Sequence, residues 1–314
     1  MTESEALARM ILPSHRRKGK PLAGVIQIWV TRACNLACYG CTQGANFGGN
    51  PGMITPEQFE EACQSLQHYF GVVGVFGGNP CLHPHFPDLC RILDRHIPFE
   101  RRGLWANNLN GHGRVCAETF NPAVSNLNVH LDRNAYDEIR RDWPQVWPFG
   151  MLEDSRHSPP YVALKDLIPD AGRRWEMIAN CDINLHWSAM IGVFRGELRA
   201  WFCEIAGAQA MLHQDNDSYP DTGLGLWLSP GIAWWQGTLD EFAPQIRKHC
   251  HECGVPLKGF GNLAQAATGA EQLSATHADL KPKKVRAVQI VTQLAELGTG
   301  RLRNVCKYLE NSRL

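Results

Sequence analysis

Three cysteines stand within eight residues, Cys34-x3-Cys38-x2-Cys41, in a loop that follows an apolar run. Thiolates this close on one short loop can grip a single metal centre. Three of them leave one coordination position for a ligand that reacts, whereas four would close the site as structural zinc does. A zinc knuckle short of one ligand, or three incidental buried thiols, would show the same spacing. A second sulfur set follows: Cys250-x2-Cys253 is a knuckle whose thiols can reach one centre, with Cys203 and Cys181 upstream. The third constellation is Gly77-Gly78-Asn79-Pro80. Glycines let a backbone come close to a ligand, and backbone carbonyls accept from an ammonium group. Asn79 can accept a hydrogen bond but brings no charge.

The elements that must position these residues are legible. Val25-Ile26-Gln27-Ile28-Trp29-Val30 is β-branched and aromatic, and predicts a buried strand ahead of the first cysteines. Thr55-Pro56-Glu57-Gln58 is a helix start, and Phe59, Ala62, Cys63, Leu66 and Tyr69 recur at helical spacing behind it. Val72 to Phe76 predicts a second strand ending in the Gly-Gly motif, and Phe86 to Ile97 a second helix. Gly103 to Ala106 predicts a third strand ending in Asn107-Asn108. Val124 to Leu131 predicts a fourth, carrying Asn128 and His130, with a helix from Tyr136 to Trp143. Strand–helix alternation argues for a parallel sheet, with chemistry at the C-terminal ends of its strands. After Gly150 the rhythm changes. Met190 to Cys203 reads as a hairpin turning at Arg195-Gly196-Glu197, residues 215–237 as loop, and Leu239 to Lys248 as a helix leading into the knuckle.

Thr31-Arg32-Ala33-Cys34-Asn35-Leu36-Ala37-Cys38-Tyr39-Gly40-Cys41 resembles the signature loop of the radical S-adenosylmethionine superfamily. Phe76-Gly77-Gly78-Asn79-Pro80-Cys81-Leu82-His83-Pro84 resembles the Gly-Gly-Glu-Pro-like motif that closes its second strand. The resemblance implies an α/β fold, a partial (β/α)6 TIM-like barrel. It implies a [4Fe–4S] cluster on Cys34, Cys38 and Cys41, with S-adenosylmethionine on the open iron. One electron then breaks the sulfonium bond, and the 5′-deoxyadenosyl radical takes a hydrogen atom from the substrate. It further implies cofactor contacts from Gly77, Gly78, Asn79 and Pro80, and from Asn107, Asn108 and His130. An external electron donor such as flavodoxin or ferredoxin is implied as a partner. Many members carry an aromatic residue just before the third cysteine. Here that position is Gly40 and the aromatic is Tyr39, so an adenine contact falls to Tyr39 or to backbone. Cys181, Cys203, Cys250 and Cys253 resemble the auxiliary-cluster extension called SPASM or Twitch, which implies a second [4Fe–4S] cluster. Four-sulfur zinc, or zinc with His249 or His251, fits the same residues.

Bulk properties narrow the field. Lys plus Arg and Asp plus Glu are both 31, so no global field favours nucleic acid or an anionic membrane. No apolar run approaches the ~20 residues a bilayer needs. At the N-terminus the apolar patch precedes the basic residues, the reverse of a signal peptide, so a cytoplasmic enzyme is expected. Twelve cysteines in 314 residues fall below the roughly 8–10% of a disulfide scaffold. The expected organisation is a flexible basic arm over 1–22, the barrel over 23–175, the auxiliary region over 176–260, and a basic helical C-terminus over 261–314. Cys63 and Cys90 read as core, and Cys81, Cys116 and Cys306 have no partner at ligand spacing. Trp201, Trp227, Trp234 and Trp235 read as core or as pocket wall. The expected reaction is hydrogen abstraction from a small polar or nucleotide-like molecule, with oxidation, elimination or rearrangement as outcome. Modification of a base in nucleic acid, through the basic C-terminus, is the second reading. A non-catalytic zinc or iron–sulfur nucleic-acid-binding module is the rival from another class.

Overall fold

Val25–Thr31 is strand β1, and every residue from Ile26 to Thr31 is buried. Both faces of it are covered, as its continuous apolar run requires. The computed structural model describes residues 1–10, 24–151, 159–181, 183–184, 188–216, 219, 225–228, 232–257, 269–283 and 287–297. β2 (Val72–Gly77), β3 (Arg102–Ala106) and β4 (Asn126–Leu127) lie parallel to β1 in sequence order. Helices α2 (Pro56–Ser65), α3 (Phe86–His96) and α4 (Gly113–Thr119) make the crossovers, and α5 (Arg133–Asp142) follows β4. α2 begins where its sequence dictates: Thr55 and Gln58 form a capping box and Pro56 takes the first helical position. α3 buries Phe86, Leu89, Cys90, Ile92 and Leu93.

The sheet then departs from a simple run of six strands. β5 (Ser188–Phe194) lies parallel to β1 on its other side, Val25 opposite Ser188. β6 (Glu197–Trp201) returns antiparallel, and β7 (Leu226–Trp227) extends the edge. The order is β4-β3-β2-β1-β5-β6-β7. This is an α/β fold with a mostly parallel seven-stranded sheet, consistent with a partial TIM-like barrel. The hairpin expected near Arg195 is present, with Arg195 and Gly196 both at positive φ in a two-residue turn. It belongs to the main sheet.

Several expectations are corrected. Within the arm expected over 1–22, α1 (Glu3–Arg9) has a capping box from Thr2 and Glu5 and buries Ala6 and Leu7, and residues 11–22 lie outside the described residues. α1 packs on α7 (Ala171–Ala179), which follows the short α6 (Leu164–Leu167). Arg247 Nε also donates to Glu3 Oε1 at 2.6 Å. The fourth strand is two residues long, because beyond it the chain pairs with Phe149 and Gly150, and His130 and Leu131 take positive φ. Helix α8 (Glu204–Leu212) follows the hairpin, and α9 (Leu239–His249) leads into the knuckle. The C-terminus is not all helix: β8 (Ala270–Leu273) and β9 (Ala287–Ile290) form a parallel pair. Residues 284–286 and 298–314, with Cys306 and most of the basic residues of the C-terminus, lie outside the described residues. No helix among those described is long and apolar enough to cross a membrane. Trp201, Trp234 and Trp235 are core, and Trp227 is exposed beneath the Arg199 guanidinium.

Removing residues 1–10 uncovers the face of α7 that α1 covers. The thermal midpoint of the truncated protein is expected to fall by several degrees, as roughly 1–2 kcal/mol would cause. A mobile arm would leave it unchanged in a melting experiment.

Candidate functional site

The cysteine loop leaves β1 at Thr31 and comes back to it. Arg32 N–H donates to the Pro51 carbonyl at 2.8 Å, and Ile54 N–H to the Val30 carbonyl at 3.0 Å. Inside the loop the Arg32 side chain is buried. Its Nη1 donates to the carbonyls of Gly44, Phe47 and Gly48, and its Nη2 to that of Asn50 at 2.6 Å. One guanidinium thus gathers four carbonyls that would otherwise splay outward. The end of β2 is strapped to the same loop. Gly78 N–H donates to the Thr31 carbonyl at 2.8 Å and Asn79 N–H to the Ala33 carbonyl at 2.7 Å. This closeness requires glycine: a Cβ on Gly77 would stand 2.2 Å from the Thr31 oxygen, and one on Gly78 2.4 Å from the Ala33 oxygen. A third tie comes from the far end of the chain, where Glu271 accepts from Gly40 N–H and from the Asn46 amide.

Cys34, Cys38 and Cys41 face a cavity of about 390 Å³. Gly77, Gly78, Asn107, Asn128 and His130 share its wall, with Leu36, Gln43, Phe76, Trp105, Phe149 and Glu204. Tyr39, Asn79, Pro80 and Asn108 are not among the lining residues. The Asn79 side chain is spent internally, accepting from Cys81 N–H and donating to Asn108 Oδ1 at 2.6 Å. Burial pushes the Cys34 thiol up to about 11, against the pull of the Leu36 N–H that it accepts at 3.4 Å. Burial raises the Cys41 thiol too, while backbone N–H groups of Ala45, Gln43 and Asn46 favour its thiolate. Such N–H donors suit sulfur ligands of a cluster, whose charge they help to hold. Two lining side chains keep buried polar atoms with no hydrogen-bond partner: Asn107 Oδ1 and both amide atoms of Gln43. A buried amide left unmatched is costly, so these atoms fit a polar ligand in the cavity. Glu204 accepts from Ser188 Oγ, and burial raises its carboxyl to about 7.

The four distal cysteines converge as well. Cys181, Cys203, Cys250 and Cys253 line one small cavity with His249, Asn184, Phe202 and Ile205. His251 is elsewhere, edge-on to Trp175 at 4.5 Å. Burial raises the thiols of Cys203, Cys250 and Cys253, and the neighbouring thiols add to it. A set like this becomes thiolate only when a cation binds, so metal uptake and proton release are coupled. The two cavities meet at one peptide: Cys203 is in the wall of the second and Glu204 in the wall of the first. Among the described residues, no set of three or more His, Cys, Asp or Glu side chains closes to the geometry of a single metal ion. No disulfide joins the described cysteines, and Cys63, Cys81, Cys90 and Cys116 are buried.

The family model described as Radical SAM superfamily matches residues 28–140. A domain of this family implies a [4Fe–4S] cluster and S-adenosylmethionine, and the donor set above fits both. The radical SAM match contains Cys34, Cys38, Cys41, the Gly-Gly motif and His130, and it ends before the distal cysteines. No curated protein matches the chain. Among solved structures, the crystal structure of BtrN in complex with AdoMet and 2-DOIA aligns at 16% identity with a TM-score of 0.39. That alignment covers 63% of this chain and 84% of the BtrN chain.

The sequence pattern alone did not single out Arg32, Gln43, Trp105, Phe149, Glu204 or Glu271. Gln43 and Glu204 lie beside cysteines already marked, which is a usable signal. Glu271 is 231 positions from Gly40 and gives none. Gly78→Ala is expected to force the strap apart, because backbone faces the new methyl on the loop side and cannot yield. In the apo-protein, alkylation of Cys34, Cys38 and Cys41 should then speed up, read by mass spectrometry. An unchanged rate would show that the strap does not shape the loop.

Proposed function

We propose that this protein is a radical SAM enzyme that abstracts a hydrogen atom from a small polar or nucleotide-like substrate in the cavity bounded by Cys34, Cys38 and Cys41. The observation that carries this reading is a shared wall. Three thiols from one loop and the Gly77-Gly78 backbone face the same space, and the matched domain contains both. Bound there, a [4Fe–4S] cluster and S-adenosylmethionine supply reductive cleavage of a sulfonium bond and, through it, hydrogen abstraction.

The chain's own residues have distinct tasks. Arg32 and the strap keep the loop's thiols turned to one side. Phe76, Trp105 and Phe149 exclude water and offer flat faces for a purine or the substrate. Asn107 and Gln43 present amide atoms that a hydroxyl or an amino group can satisfy. Glu204, gripped by Ser188, is the one acidic side chain among the described lining residues.

The second cysteine set is assigned to an auxiliary [4Fe–4S] cluster, held by segments that flank the β5–β6 hairpin of the main sheet. Convergence of four thiols on one cavity supports this. An external one-electron donor is required, and a cytoplasmic setting suits thiols that stay reduced.

Anaerobic reconstitution tests the division of labour. The wild type is expected to hold about eight irons per chain, and each cysteine set about four of them. Changing Cys34, Cys38 and Cys41 to Ala should remove about four irons and abolish 5′-deoxyadenosine formation with dithionite and S-adenosylmethionine. Changing Cys250 and Cys253 to Ala should remove a like number and spare uncoupled cleavage. Zinc in place of iron, or deoxyadenosine from the first variant, would contradict the assignment.

A further inference from the structure

Glu204 opens α8 and lies in the wall of the larger cavity. Ser188, the first residue of β5, donates from Oγ to Glu204 Oε2 at 2.5 Å and so ties the carboxyl to the main sheet. Among the described residues, Oε1 has no hydrogen-bond partner and no Lys or Arg pairs with either oxygen. The carboxyl therefore has a fixed direction and one oxygen to offer. A polar group left unmatched in a largely dry wall is costly unless a ligand satisfies it.

Its place in the cavity follows from two elements. Ser188 pairs with Val25 at the start of β1, whereas the cysteine loop leaves the other end of β1 after Thr31. At the far end of α8, Leu212 meets the cysteine loop: a Cβ on Gly44 would stand 2.7 Å from Leu212 Cδ1. Helix α8 has nine residues, so Glu204 sits about 12 Å along it from the end that touches the loop. Gln43 and Asn107, whose amide atoms lack partners, belong to the loop end, Gln43 in the loop itself and Asn107 directly after β3. The polar groups on the cofactor side and Glu204 thus stand at different ends of one cavity.

We propose that Glu204, oriented by Ser188, is a specificity-determining residue of this cavity and anchors a hydroxyl group of the substrate. The proposal deepens the reading of the cavity as the substrate site and rests on it. A hydroxyl suits either state of the carboxyl, since it donates to the ionised form and accepts from the protonated one. A site built to hydrogen-bond a hydroxyl rejects the analogue that lacks it, because the buried carboxyl then goes unpaired. The separation suits a molecule with its reacting carbon at the loop end and a hydroxyl at the other, as a nucleoside or a polyhydroxylated ring presents.

The test is calorimetric binding to the reconstituted full chain with S-adenosylmethionine present. The probes are uridine, adenosine and myo-inositol, each beside its monodeoxy analogues. At least one parent compound is expected to bind about tenfold more tightly than one of its analogues. That preference should vanish in Glu204→Leu and persist in Glu204→Gln, whose amide can still meet both Ser188 and a hydroxyl. Iron content equal to that of the wild type shows that the Leu variant is folded. Should it lose iron, Ser188→Ala decides, because it keeps the carboxyl but frees its direction, and the preference for the parent should shrink. Equal binding of parents and analogues by the wild type would overturn the anchor and leave the cavity as the substrate site. So would a preference unchanged in Glu204→Leu, or in Ser188→Ala where the Leu variant is not folded. A wild type that binds none of the probes would overturn both the anchor and the reading of the cavity.

Discussion

Two backbone hydrogen bonds, from Gly78 to Thr31 and from Asn79 to Ala33, fasten the end of β2 to the start of the cysteine loop. They form only because Gly77 and Gly78 lack side chains, and they fix where three thiols can point. Parallel pairing of β1 and β2 delivers both motifs to the same end of the sheet. Arg32 then folds the remainder of the loop around its guanidinium, and Glu271 pins the loop from behind. Each tie offsets a cost: backbone carbonyls, amides and thiols are drawn out of water to make a dry site, and each needs a partner.

The second half of the molecule answers the same constraint. The β5–β6 hairpin lies against β1, so the strand that launches the cysteine loop is covered on both edges. Directly after the hairpin come Cys203 and Glu204, one facing the distal cysteine cavity and the other the larger cavity.

What could be read from the sequence follows a clear line. β1, β2, α2 and α3 were legible because their signals are local: a β-branched run, a capping box, a Pro at the first helical turn. The cysteine loop and Gly-Gly motif were legible because close spacing and missing side chains are visible in the chain itself. The fourth strand was overdrawn, since its apolar residues pair with Phe149 and Gly150 instead of extending the sheet. The placement of β5 next to β1, and of Glu271 on the loop, depends on contacts across more than a hundred residues that leave no periodic trace. Asn79 illustrates a subtler limit. Its position in the motif is plain from the sequence, but its amide is turned inward to Asn108 and Cys81 and is not in the cavity wall.

The central claim is that one corner of the centre on Cys34, Cys38 and Cys41 is open to the amino and carboxylate groups of S-adenosylmethionine. It is tested most directly by electron–nuclear double resonance on the reduced protein. S-adenosylmethionine carrying a magnetic isotope at its amino nitrogen is added, and coupling to the cluster is sought. The account expects a coupling strong enough for direct bonding to iron, lost when the three cysteines are replaced. An intact cluster showing no coupling to the label would contradict it.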